Sequence, residues 1–190
     1  SSSSPSISQW KNRRSPEDIL FAHGNFFLNK TSSINFSHSI YSVYPNSPQY
    51  KTDHILKLYE EEAKKEKEYK ILEKLQEGKS QYVVTLINEV QLKNTNHQIS
   101  ETLQNDKVYN GIILEKGEDT LRERMEDLEC WNYVGDGLKR DYVIQILEIV
   151  SFINRKGFVW RDVKPSNFVF FKYGKVEILN CLLYTSDAAD

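Results

Sequence analysis

Cysteine and methionine are nearly missing from this 190-residue chain, which has 2 Cys and 1 Met. With Cys181 in the C-terminal tail, only Cys130 remains in the body, which excludes an internal disulfide framework and suits a reducing compartment. Long apolar runs are absent too. Nothing is long enough to span a bilayer, and the N-terminal stretch lacks the apolar core of a signal peptide. Charge of one sign is not in excess: the formal net charge is -2, so no bulk positive field recruits nucleic acid or an anionic membrane. These absences predict a cytoplasmic or nuclear protein. The chain starts at Ser1 and its methionine is Met125, which predicts an internal fragment; a hydrophobic fraction of 39% is compatible with one domain and its own core.

Residues 1–15 are Ser-rich, with two Ser-Pro steps and the basic run Lys11-Asn12-Arg13-Arg14, the composition of a disordered linker. From 26 to 59 aromatic and β-branched residues alternate with polar ones, as in a half-buried antiparallel sheet, most clearly over 55–59. Residues 60–75 form a helix on propensity, its charged first half reading as a solvated face. Strands are predicted at 83–86 and 108–115, separated by an Asn- and Gln-rich loop over 94–106. A turn at Lys116-Gly117-Glu118-Asp119 leads into a short helix over 120–128. Strands first and helices later, with one helix inserted among the strands, is an α+β pattern.

The segment Trp160-Arg161-Asp162-Val163-Lys164-Pro165-Ser166-Asn167 concentrates chemistry. A carboxylate to meet a hydroxyl, a cation to meet a phosphate and an amide oxygen to meet a metal, all in one short loop, suit phosphoryl transfer. Before it, Val143, Ile146, Leu147, Val150 and Ile153 recur at helical spacing, and Ile144 and Ile149 widen the stripe until the helix is apolar nearly all round, as a core helix is. Gly157 ends that helix, and Phe158-Val159 reads as a short strand. Beyond the loop, 168–171 and 175–179 read as strands joined at Lys172-Tyr173-Gly174. The loop matches the H-R-D-x-x-x-x-N pattern at all but its first position, and this succession of elements resembles the eukaryotic protein kinase family of the Ser/Thr type.

The resemblance implies a protein-kinase-like fold: an antiparallel-sheet small lobe over 16–115 and the beginning of a mainly helical large lobe over 116–180. It implies an ATP- and Mg2+-dependent enzyme acting on Ser/Thr hydroxyls of a protein substrate, with no nucleic acid or membrane partner. Asp162 would accept the hydroxyl proton, Lys164 would neutralise the γ-phosphate, Asn167 and Asn180 would hold metal, and Arg161 would help order a phosphorylated segment. Lys57, ending a run similar to V-A-I-K, would pair with Glu68 and hold the phosphates. Glu68 shares a helix face with Leu72 and Leu75, which turns it inward. The backbone of Glu115 and Gly117 would bind the adenine edge, Leu114 would lie behind the ring, and Glu118 or Asp119 would reach the ribose.

The chain departs from the family in three places. Ser33, Asn35 and His38 fill the three glycine slots of the phosphate loop, where side chains keep the backbone away from phosphate. Trp160 replaces a structural histidine, and a large aromatic can pack there. Asn180 stands where the family has its metal-binding aspartate. The tail 181–190 resembles the in-frame translation of a transposase-type sequencing adapter and is read as non-native. If the adapter supplies the third base of codon 180, the two native bases specify Asn or Lys. A neutral amide there favours the other reading of the chain, a pseudokinase that acts as a binding or scaffold module.

Overall fold

The computed structural model describes residues 19–23, 26–35, 40–45, 54–77, 81–97, 99 and 103–182. The linker 1–15, the His38 slot and tail positions 183–190 lie outside them. The fold is α+β. Six strands, β1 (Ile19–His23), β2 (Phe26–Asn35), β3 (Ile40–Pro45), β4 (His54–Tyr59), β5 (Leu86–Lys93) and β6 (Val108–Glu115), form an antiparallel sheet in the order β1-β2-β3-β4-β6-β5. Helix α1 (Glu62–Gln76) is inserted between β4 and β5; α2 (Leu121–Glu126), α3 (Leu128–Tyr133) and α4 (Asp136–Arg155) follow, then a hairpin of β7 (Phe168–Tyr173) and β8 (Val176–Cys181). Among the described residues no helix is long and apolar enough to cross a membrane.

Described residues within Ser1–Lys67 and Leu86–Lys116 form one compact unit, and those within Glu68–Thr85 and Gly117–Asp190 a second. In the first unit, strand alternation sends Tyr41, Val43, Leu56, Leu58, Leu92, Tyr109 and Ile113 to a buried cluster on one sheet face. The loop after β5 completes it. Ile99 and Leu103 pack into that cluster, so the Asn- and Gln-rich segment covers core as well as connecting strands. Its organiser is Asn94, fully buried, whose Nδ2 donates to the carbonyls of Leu103 (3.1 Å) and Gln104 (3.2 Å) and whose Oδ1 accepts from Ile99 N (2.9 Å).

The second unit is built around the hairpin. Phe168, Phe170, Leu179 and Cys181 are buried, with Tyr142, Ile149, Phe152 and Ile153 of α4 and Leu121 of α2. Tyr142 meets Phe170 edge-on at 5.1 Å, and Leu179 N donates to Gln145 Oε1 (2.9 Å). Thr120 and Glu123 cap α2 reciprocally, and Gly157 ends α4 at φ +90°, with Phe158 N bonded to Ile153 O and Gly157 N to Asn154 O, a Schellman arrangement.

Several sequence expectations are corrected. The strand expected at 83–86 begins at Leu86 and runs to Lys93; Val83 makes only an isolated bridge to Cys181. Residues 120–128 hold one whole short helix, Leu121–Glu126, and the start of another, because Asp127 caps a new helix by accepting from Cys130 N (3.2 Å). Phe158-Val159 is irregular rather than a strand, with Val159 80% exposed. Helix α4 is not covered all round: Val143, Ile144 and Leu147 are exposed, since only the opposite face meets the hairpin. The charged start of α1 is not wholly solvated either. Lys65 is buried on the stripe it shares with Glu68, Leu72 and Leu75, and its Nζ lies 2.6 Å from both Glu66 Oε1 and Glu89 Oε2, which raise its pKa. The strand expected at 175–179 runs over Val176–Cys181: Cys181 pairs with Phe168, and burial pushes its thiol up to about 12.

The Asn94 cluster yields a stability test. Asn94→Ala leaves the buried Ile99 N–H without its acceptor and is expected to cost about 1–3 kcal/mol of unfolding free energy by denaturant titration. An effect no larger than that of Asn88→Ala, on the exposed part of β5, would show that the loop is not held through Asn94.

Candidate functional site

The loop between α4 and β7 is shaped by its own polar groups. Pro165 opens a single 3-10 turn, Pro165–Asn167, and Asn167 N donates to Lys164 O (3.0 Å). Asn167 is 1% exposed; its Nδ2 donates to the backbone oxygen of Asp162 (2.8 Å) and to Asp162 Oδ2 (3.3 Å). Lys164 Nζ stands 3.2 Å from the same Oδ2. Carboxylate, ammonium and carboxamide thus converge within one loop, Asp162 and Lys164 still open to solvent at 30% and 52% side-chain exposure. Arg161 is exposed. Trp160 packs on Phe168 (5.3 Å between rings), as expected of an aromatic in that slot, and its buried Nε1 has no hydrogen-bond partner among the described residues.

The hairpin carries the remaining loop contact and Asn180. Leu182 N donates to Asn167 O (2.7 Å), and Asn180 pairs across the hairpin with Val169. Asn180 is 2% exposed, and its carboxamide lies against Gln81 O (2.6 Å) and Leu179 O (3.0 Å), so the amide is assigned the orientation that turns its nitrogen to these carbonyls. The Mg2+ that the resemblance brings is a hard cation that takes carboxylate oxygens. Among the described residues no group of three or more His, Cys, Asp and Glu could hold a metal ion, and Asn180 brings a neutral amide committed to backbone carbonyls. Asp162, at 30% side-chain exposure, is the carboxylate that the loop offers a cation, and Asn180 adds no charge to it.

The segment after β6 enters the second unit at Gly117. A Cβ there would lie 2.3 Å from Val169 Cγ1 and 2.8 Å from Phe170 O, so glycine permits the close approach to β7 that Glu118 N to Phe170 O (2.8 Å) and Phe170 N to Asp119 O (3.0 Å) then hold. The Asp119 carboxylate is occupied: Arg124 Nη2 and Nε bind it at 2.7 and 3.0 Å. Of the two candidate ribose contacts, only Glu118 therefore keeps an exposed side chain outside this pair. Sequence reasoning passed over Arg124. It also binds Glu177 and stacks 3.4 Å over the centre of the Phe170 ring, tying α2 to the hairpin; the only signal in the sequence was its place in the last turn of a short helix. Burial alone would lower its pKa, but the Asp119 and Glu177 bonds outweigh that and raise it, while Arg124 holds the Asp119 carboxyl below its usual value.

In the first unit Lys57 is buried in the centre of β4, between Ile40 and Ile112, with its Nζ 5.1 Å over the Tyr59 ring. Its sheet face is the one opposite the Leu56 and Leu58 cluster. Leu114 is buried, and Glu115 ends β6 half-buried opposite His54. Ser33 and Asn35 lie within β2, so this part of the glycine-free segment is strand. Glu68, which falls in the second unit, is 2% exposed on α1, inward as its spacing implied.

Two outcomes follow from Gly117 and Arg124. Gly117→Ala is expected to destabilise by about 1–3 kcal/mol through overpacking, whereas Gly137→Ala, whose Cβ would meet nothing within 4 Å, leaves the melting temperature unchanged or higher. Because the folded Asp119 pKa is depressed, its contribution is complete above about pH 4 and is lost as pH falls through the lowered value. Asp119→Asn should therefore lower the melting temperature at pH 7 and converge with wild type in acid; a difference that persists at pH 2 would exclude the ionic role.

No protein-family model matches this chain and no curated protein aligns with it, so the assignment of the loop rests on its residues and their geometry.

Proposed function

We propose that this chain is part of an ATP-binding protein kinase of the Ser/Thr type, with an antiparallel-sheet small lobe and the start of a helical large lobe, acting on hydroxyls of a protein substrate. The observation that carries the reading is the convergence of Asp162, Lys164 and Asn167 in one loop closed by the Asn167 amide. In a Michaelis complex Asp162 would orient the substrate hydroxyl and accept its proton as the oxygen attacks. Lys164, half-exposed on a flexible stem, would turn from Asp162 to the γ-phosphate. Asn167 would keep the loop in register by holding the Asp162 backbone. Lys57 and Glu68, each buried, would form the pair that secures the phosphates, and the Glu115 and Gly117 backbone would take the adenine edge.

Asn180 favours a second reading, a pseudokinase that binds nucleotide or protein partners without transfer, because its amide serves the hairpin and supplies no charge to a metal. One experiment separates the two. The longest natural reading frame carrying this sequence is assayed for phosphate transfer from labelled ATP to a mixed protein substrate, beside Asp162→Ala. The first reading expects transfer that the substitution lowers by about 10²–10⁴-fold with ATP binding retained. ATP binding with no transfer above the Asp162→Ala background establishes the pseudokinase reading; the absence of both overturns the family assignment.

A further inference from the structure

The two halves of α1 are held by different forces. In the second half Leu72 and Leu75 are buried, and Gln76 Nε2 donates to Val84 O (2.8 Å). In the first half, residues 62–68, the apolar residue is Ala63, and it is exposed, so no apolar side chain there is taken out of water. What is buried there is ionisable: Lys65, at 7% side-chain exposure, and Glu68 one turn further on. Lys65 Nζ lies 2.6 Å from Glu66 Oε1 on the helix itself and 2.6 Å from Glu89 Oε2 in β5, and the second bond ties helix to sheet. A buried ammonium stripped of its carboxylate is an uncompensated charge, so the pair sets which way this turn of the helix faces. Residues three apart share a helix face, and the rotation that brings Lys65 to Glu89 also turns Glu68 inward.

We infer that Lys65 is a positioning residue: its ion pair with Glu89 holds the first half of α1 on the sheet and, through the helix, keeps Glu68 turned inward. What Glu68 does for the phosphates rests on the reading above; the hold on α1 does not.

The test is hydrogen exchange read by mass spectrometry on the whole 190-residue chain, with amides 65–70 compared against 71–76. Glu89→Gln and Lys65→Met are each expected to speed exchange over 65–70 by about tenfold and to leave 71–76 within about twofold of wild type, whereas Lys65→Arg keeps both slow. Unchanged exchange in Lys65→Met shows that the buried stem and not the ion pair holds the helix, and overturns the inference; so does equal acceleration over both segments in Glu89→Gln. The functional arm is a double-mutant cycle on ATP affinity, measured by competition with a fluorescent ATP analogue. Lys65→Met and Glu68→Gln are each expected to weaken ATP by about tenfold, and the double variant no more than either alone. Additive losses show that Lys65 does not act through Glu68 and overturn its positioning role. Failure of the wild type to bind ATP overturns the ATP-binding reading instead, and the exchange data then decide the hold on α1 by themselves.

Discussion

Irregular backbone in this protein is held by amide side chains taken out of water. Asn94, Asn167 and Asn180 are each at most 2% exposed, and each turns its amide nitrogen to a main-chain carbonyl, within its own loop for Asn94 and Asn167 and on the segment after α1 for Asn180. Buried carbonyl and N–H groups outside helices and strands need partners, and a carboxamide can satisfy a donor and an acceptor at once. Asn94 closes the loop after β5, Asn167 the loop before β7, and Asn180 fastens β8 to the segment after α1. The second also shapes its loop: with the Asp162 backbone bonded to the Asn167 amide, the Asp162 carboxylate lies 3.2 Å from Lys164 Nζ.

Electrostatics and close packing then fix what the asparagines leave loose. Arg124 pairs with Asp119 and Glu177 while lying on the Phe170 ring, so α2 and the hairpin share a partly buried ionic and aromatic anchor. Gly117 lets the chain run against β7 with no side chain between. Lys65 does for the first unit what Arg124 does for the second, joining α1 to β5 through Glu89. An ammonium and a guanidinium thus reach inward from helices whose composition reads as surface.

How much was legible in the sequence differs from element to element, with a physical cause in each case. Strand β4, helix α1, strand β6 and the hairpin follow from alternation and from helical spacing, which are local. The loop residues Asp162, Lys164 and Asn167 were identifiable because their spacing along the chain sets their meeting in space. Helix α4 is apolar on most of its faces, and that pattern does not mark Tyr142, Ile149, Phe152 and Ile153 as the residues that are buried. Lys65 and Arg124 were missed because their partners, Glu89 and Glu177, are distant in sequence, and a lone charge in a helix carries no mark of burial.

By itself the sequence determined the α+β order, the loop and its three chemical groups, and the absence of a carboxylate at position 180. Only the tertiary structure decided that Asn180 is a donor to Gln81 O, that Asp119 is claimed by Arg124, and that Gly117 is required by Val169. The reason is range: periodicity and motif spacing act over a few residues, whereas the partner of a buried polar group is set by which distant segment the fold brings against it.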